Sequence, residues 1–163
     1  MVVGVSLQRP VGSDHQLARL LQIGVVLEEV VEARADKHVS VSENLDPEVG
    51  ELLEHAAAES AEHRSELEAL IAELEAETVP FDEIKTLVEA QYEADEEFDG
   101  ILYDQLCNEE TAYKFYDDLI GAIEASEIEF GIDRGRLLST LERIRQEEAA
   151  GAEEVTELME ERE

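Results

Sequence analysis

The sequence predicts an all-α protein: an antiparallel four-helix bundle with an additional shorter helix before the last one. Three observations predict it. Apolar residues recur at helical spacing through almost everything after residue 13. No alternating run of strand length occurs, and the β-branched stretch IGVVLEEVV (23–31) is itself helical in its spacing. The breaks at 39–46, 78–80 and 128–132 are short, which favours antiparallel neighbours over one long coiled coil. The whole chain, 1–163, reads as one helical-bundle domain with 1–13 irregular, and it is long enough to bury a core.

Each element has its own start signal. Ser13-Asp14 can cap a first helix to about His38, with Leu17, Leu20, Leu21, Gly24, Leu27, Val31 and Ala35 on one face. LDPE puts Asp46 at the N-cap and Pro47 at the first position of a second helix, to about Glu77. Its stripe runs through Val49, Leu53, Ala56, Leu67, Leu70 and Leu74. TVPFDE starts a third helix at about Phe81, running to Leu106. Asn108 then reads as the cap of a shorter fourth helix to about Ser126, with two acids in its first turn where the helix dipole favours them. FGID breaks that helix, and Asp133 caps the last one, carrying Leu137, Leu141, Ile144, Val155 and Leu158.

The charge is extreme: 43 Asp+Glu against 12 Lys+Arg, formally −31. A hydrophobic content of 44% is that of a folded chain, so the charge does not signal disorder. Such a surface repels itself in dilute buffer but is tolerable in molar salt, where the Debye length is about 3 Å. It reads as the surface of a protein from a salt-loving organism. The acids are spread over every segment, which argues against a dedicated patch for a basic partner. No basic stripe exists to meet phosphate, so no nucleic-acid partner is expected. MVVGVSLQRPVGSD is too short and interrupted for a secretory signal or a membrane span, so the cytoplasm is expected and no membrane partner. The single cysteine, Cys107, forms no internal disulfide and no C-x-x-C pair, and reads as a small apolar residue. There is no G-x-S-x-G and no glycine-rich phosphate loop.

The informative residues are ionisable groups on apolar faces, where a charge is costly unless paired or bound to metal. Glu28 lies beside Leu21, Gly24, Leu27 and Val31. His63 falls between Ala56, Leu67 and Leu70, with Glu59 at i−4 on the same side and Glu62 further round. The third helix centres on Val88, Asp95 and Leu102, with Gln91 and Asp99 a turn either side of Asp95. Glu148 lies between Leu141, Ile144 and Val155. The short fourth helix shows no inward acid in its middle. Four long helices thus each bring a carboxylate to mid-length on the inner face, and one adds a histidine. Such a donor set suits iron or manganese. The competing reading is edge-lying acids whose heads reach solvent. Of the other histidines, His15 reads as solvated, His38 as a complement to the dipole at a helix end, and His55 as an accessory ligand at most.

The order Glu28, then Glu59/Glu62/His63, then an acid on the third helix, then QEEAAG on the last, resembles the ferritin-like superfamily, nearest to rubrerythrin-type bundles. AAAESAEHRSELEAL is the most similar stretch, and the resemblance covers residues 14 to 160. It implies a ferritin-like bundle around a non-haem di-iron or di-manganese centre, two ions at most, acting on ferrous iron, oxygen or peroxide. The metal residues it implies are Glu28, Glu59, Glu62, His63, Asp95 and Glu148. The sequence departs from the family motif in two places. Residue 60 is Ser where Glu-x-x-His would put the glutamate, and residue 151 is Gly where the last helix would carry a second histidine. A mononuclear or lost site therefore stays open.

Two functions compete. The first is a metal-binding bundle which, if catalytic, is an oxidoreductase of ferroxidase or peroxidase type. The second is a non-catalytic bundle working through self-association or a partner, its inward acids protonated or paired with Arg19, Arg34, Arg64 or Arg145. A haem bundle using His63 with His55 or His38 is a third, weaker fit. A homodimer is expected, because Val25, Val26 and Val30 lie off the main face of helix one and leave apolar surface over.

Overall fold

The computed structural model describes residues 10–41, 45–74, 76 and 100–162. They form four helices: α1 (Asp14–Val41), α2 (Pro47–Leu74), α3 (Ile101–Glu124) and α4 (Arg134–Glu161). No strand occurs among the described residues, and the helices pack as an all-α bundle. No helix among them is long and apolar enough to cross a membrane. Asp95, Gln91 and Asp99, with most of the expected helix at 81–106, lie outside the described residues.

Local chemistry sets the helix ends. Ser13 Oγ accepts the Gln16 amide at 3.1 Å, Asp46 Oδ1 the Glu48 amide at 2.8 Å, and Asp133 Oδ2 the Arg136 amide at 2.8 Å. Each satisfies an amide that an α-helix leaves without an internal partner. The expected break at Asn108 is not there. α3 starts instead at Ile101, behind Gly100 with φ 136°, a backbone conformation that favours glycine. It then runs unbroken through Asn108, which is buried in its second turn.

The helices alternate in direction across each packed pair. Arg34 of α1 meets Asp104 near the start of α3, while the Val11 amide, just before α1, bonds the Ala122 carbonyl near the end of α3. Glu73 at the end of α2 meets Arg136 at the start of α4, and His63 meets Glu148. α2 and α3 consequently run in the same direction, and α2 ends at the opposite end of the bundle from the start of α3. A helix of 28 residues is about 42 Å long.

Two apolar clusters fill the interior. The larger holds Leu17, Leu21, Leu67, Leu70, Tyr116, Leu119, Ile123, Leu137, Leu141 and Ile144. The smaller, at the other end, holds Ala35, Val49, Leu53, Ala57 and Leu158. Each fully buried Leu or Ile contributes about 1.5–3 kcal/mol. In the larger cluster α1 comes close to its neighbours at Gly24, where a Cβ would lie 3.1 Å from Leu67 Cδ1 and 3.2 Å from Phe115 Cε2. Val25, Val26 and Val30, off the main face of α1 by the helical period, are buried within the single chain. Between the two clusters lies a polar layer at one depth: Glu28, Ser60, His63, Gln105, Asn108, Glu109 and Glu148 are all buried.

Candidate metal centre

The helical period puts Glu28, His63 and Glu148 on the inner faces of α1, α2 and α4, and the antiparallel packing brings them to one level. Their exposures are 0%, 1% and 3%. His63 Nδ1 lies 3.1 Å from Glu148 Oε1 and 3.4 Å from Glu28 Oε2. One donor atom from each of the three residues lies within 4.8 Å of the others. Donors at neighbouring corners of a coordination shell with bonds of about 2.2 Å stand about 3.1 Å apart, so the spacing fits a small divalent ion.

The other ring nitrogen is oriented from outside. His63 Nε2–H donates to Glu147 Oε1 at 2.7 Å. A ligating histidine is ordinarily held this way, with its second N–H on a carboxylate that fixes the ring and its tautomer. Tyr116, fully buried, donates its hydroxyl to Glu28 Oε2. Burial and the neighbouring Glu28 push the Tyr116 phenol well above its ordinary range, so it stays a donor. Glu28 Oε1 has no hydrogen-bond partner among the described residues. On α3, Glu109 is 4% exposed, its Oε1 accepts from Gln105 Nε2 at 2.9 Å, and its Oε2 has no partner there either.

The electrostatics are unbalanced. Glu28, Glu59, Glu109, Glu147 and Glu148 stand around a single imidazole. Burial alone would discharge His63, but the carboxyl groups of Glu148, Glu28 and Glu147 outweigh it and push its pKa up to about 11. Burial pushes Glu148 well up, and the negative charge of Glu28 adds to that. Burial likewise raises Glu109. Glu59 rises to about 7, through burial first and then the charges of Glu109 and Glu147. Around this one imidazolium Glu59, Glu109 and Glu148 are all raised, so the metal-free layer favours bound protons on these three. The arginines that could have paired with these acids are engaged elsewhere: Arg34 with Asp104, Arg64 with Glu32, and Arg145 with Asp117. Arg143 reaches Glu147 only at 3.4 Å and bonds Glu66 more closely.

The structure therefore unites Glu28, His63 and Glu148, with half-buried Glu59 on the flank. Glu62 is exposed and takes no part, because it sits about 100° round the helix from His63. The middle of the bundle does receive an acid from the stretch that was expected to have none, namely Glu109. Reading 101–124 as one helix would have found it, since Gln105, Glu109, Ala112, Tyr116, Leu119 and Ile123 form one stripe. Glu147 has no such signal, for it lies off the apolar face and is reached by His63 from α2. His55 is exposed and 3.6 Å from Glu59, and His38 is bonded to Asp104 at 2.7 Å, so neither stands beside His63 as a second axial ligand would.

No family model matches the chain, and neither does any curated protein or solved structure.

Proposed function

We propose that this chain is a ferritin-like metal-binding protein that holds divalent iron or manganese at mid-bundle through Glu28, His63 and Glu148, with Glu109 beside them. The observation that carries the reading is the polar layer itself. Four helices each send carboxylates to one buried level, around one imidazole whose Nδ1 faces two of them and whose Nε2–H is held by a third. Burying so many acids without arginine partners is strongly unfavourable unless protons or a cation neutralise them. An oxygen-rich set with one nitrogen suits iron or manganese better than copper or zinc. Two helices consecutive among the described residues that run parallel, as α2 and α3 do, also suit a ferritin-like bundle.

Bound iron or manganese would supply one-electron chemistry on ferrous iron, oxygen or peroxide. The chain's own residues do the rest. Glu28 and Glu148 balance charge, Glu147 keeps the proton of His63 on Nε2 so that Nδ1 is free to ligate, and Tyr116 fixes the Glu28 carboxylate. The apolar clusters above and below limit water.

One observation favours the second reading, a non-catalytic bundle. Both nitrogens of His63 already meet carboxylates, so an imidazolium could serve as a permanent counter-charge. Elemental analysis separates the two readings, on protein purified in molar salt without a metal-affinity tag and on the His63→Ala, Glu148→Ala double variant. One to two iron or manganese per chain, lost in the variant, is the expected result. No metal in either, and no uptake of ferrous salt on refolding, would leave the counter-charge reading standing alone.

A further inference from the structure

Beside the buried group, on the side of α2 and α4, lies a small cavity of about 30 Å³. That volume suits a single water or small ion. Its polar lining is Glu59, Glu109, Glu147, Glu154 and His55, and exposed His55 and Glu154 place its mouth at the surface. The inner wall is built rather than incidental. The Glu109 carboxyl group rests on Gly151, where a Cβ would come within 2.6 Å of Oε2 and 2.7 Å of the carboxyl carbon. Any other residue at 151 would push Glu109 away. Gln105 holds Oε1, and the buried, unpartnered Oε2 lies over Gly151, in the wall of the cavity.

We propose that this cavity is an outer cation site, with Glu59, Glu109 and Glu147 as oxygen donors and Glu154 and His55 at its mouth. It takes a hard divalent cation from solvent and delivers it to the inner group. The proposal rests on the metal reading of Glu28, His63 and Glu148 for its second half only. Three carboxylates with no nitrogen favour manganous, ferrous or magnesium ions. Glu109 borders both positions, for it is buried in the polar layer with Glu148 and also lines the cavity. Glu147 joins them a second way, since its Oε1 accepts the His63 Nε2–H and the residue also lines the cavity, with Arg143 at 3.4 Å on its outer side. A cation arriving at the outer donors therefore has carboxylate oxygen to step along without returning to water.

The test is Mn²⁺ titration of the full chain in molar KCl, with free ion followed by its aqueous EPR signal and loading followed by stopped flow. Wild type should bind two ions, one tightly and one weakly. Glu59→Gln should weaken the weak site at least tenfold and slow loading of the tight site by a similar factor, without removing the tight site. Gly151→Ala should do the same at unchanged net charge, while the exposed control Glu153→Gln should do neither. His63→Ala should lose the tight site and keep the weak one. A single ion per chain, with count and rate unchanged in Glu59→Gln and Gly151→Ala, overturns the outer site and leaves the inner one intact. Loss of both ions together in Glu59→Gln means one joint centre and equally overturns a separate outer site. No Mn²⁺ bound by wild type overturns both. Circular dichroism on each variant confirms that helix content is retained.

Discussion

Raising the pH from 5 to 8 should destabilise the metal-free protein, and saturating Mn²⁺ should remove that loss. Glu59 rises from 4.5 to about 7, so the folded chain holds this proton more tightly than the unfolded one. Its contribution is fully present below pH 4.5 and is lost as the pH passes 7. Glu109 and Glu148 are raised as well and act in the same direction. His63, raised to about 11, adds stability below 6.5 that drains away as the pH climbs towards 11. All four signs agree. At about 1.36 kcal/mol per pH unit, a sealed group shifted as far as Glu59 would contribute about 3.4 kcal/mol. Glu59 has 20% of its side chain exposed, beside an open cavity, so solvent screening brings its share down to about 1.5 kcal/mol. A bound ion replaces protons, so its affinity grows as they leave, and the Mn²⁺ stabilisation should be larger at pH 8 than at pH 6. The assay is urea unfolding across this pH range, in EDTA and in Mn²⁺. Molar KCl keeps the general repulsion among 43 acids short-ranged. Glu59→Gln should have the shallower metal-free slope. A metal-free stability that is flat or rising from pH 5 to 8, with Glu59→Gln parallel to wild type, would refute the protonated layer.

Three further substitutions probe separate parts of the structure. Tyr116→Phe removes the hydroxyl that donates to buried Glu28 and should cost about 1–3 kcal/mol in the metal-free protein, and less with Mn²⁺ bound, by urea unfolding. Arg34→Ala leaves Asp104, 1% exposed, with His38 as its remaining ionic partner, and should cost about 2 kcal/mol, below the usual 3–5 for a broken buried pair because His38 stays. Glu62→Gln, at an exposed position, should change stability by less than about 0.5 kcal/mol and leave metal content untouched by elemental analysis; a lost ion there would put Glu62 back in the site.

What could be read from the sequence was local. Ser13, Asp46-Pro47 and Asp133 mark helix starts because a cap bonds amides two or three residues away. Glu28, His63 and Glu148 were legible because the helical period alone places them among apolar neighbours, and burial follows from that face. Asn108-Glu109 misled for the same reason. A polar residue followed by acids is what a helix start looks like, and it is also what a buried polar layer looks like; only the partners across the bundle distinguish them.

The sequence by itself determined an all-α chain, most helix starts, the apolar stripes and three of the buried polar groups, since each depends on residues within one or two turns. Tertiary structure alone decided that those three groups meet, that Glu109 and Glu147 join them, and that Glu62 does not. It also put Arg34, Arg64 and Arg145 out of reach of the layer. Those outcomes depend on which helices face each other and at what register, and residues as far apart in the chain as 28, 63, 109 and 148 share a charge balance only once the packing has set that register.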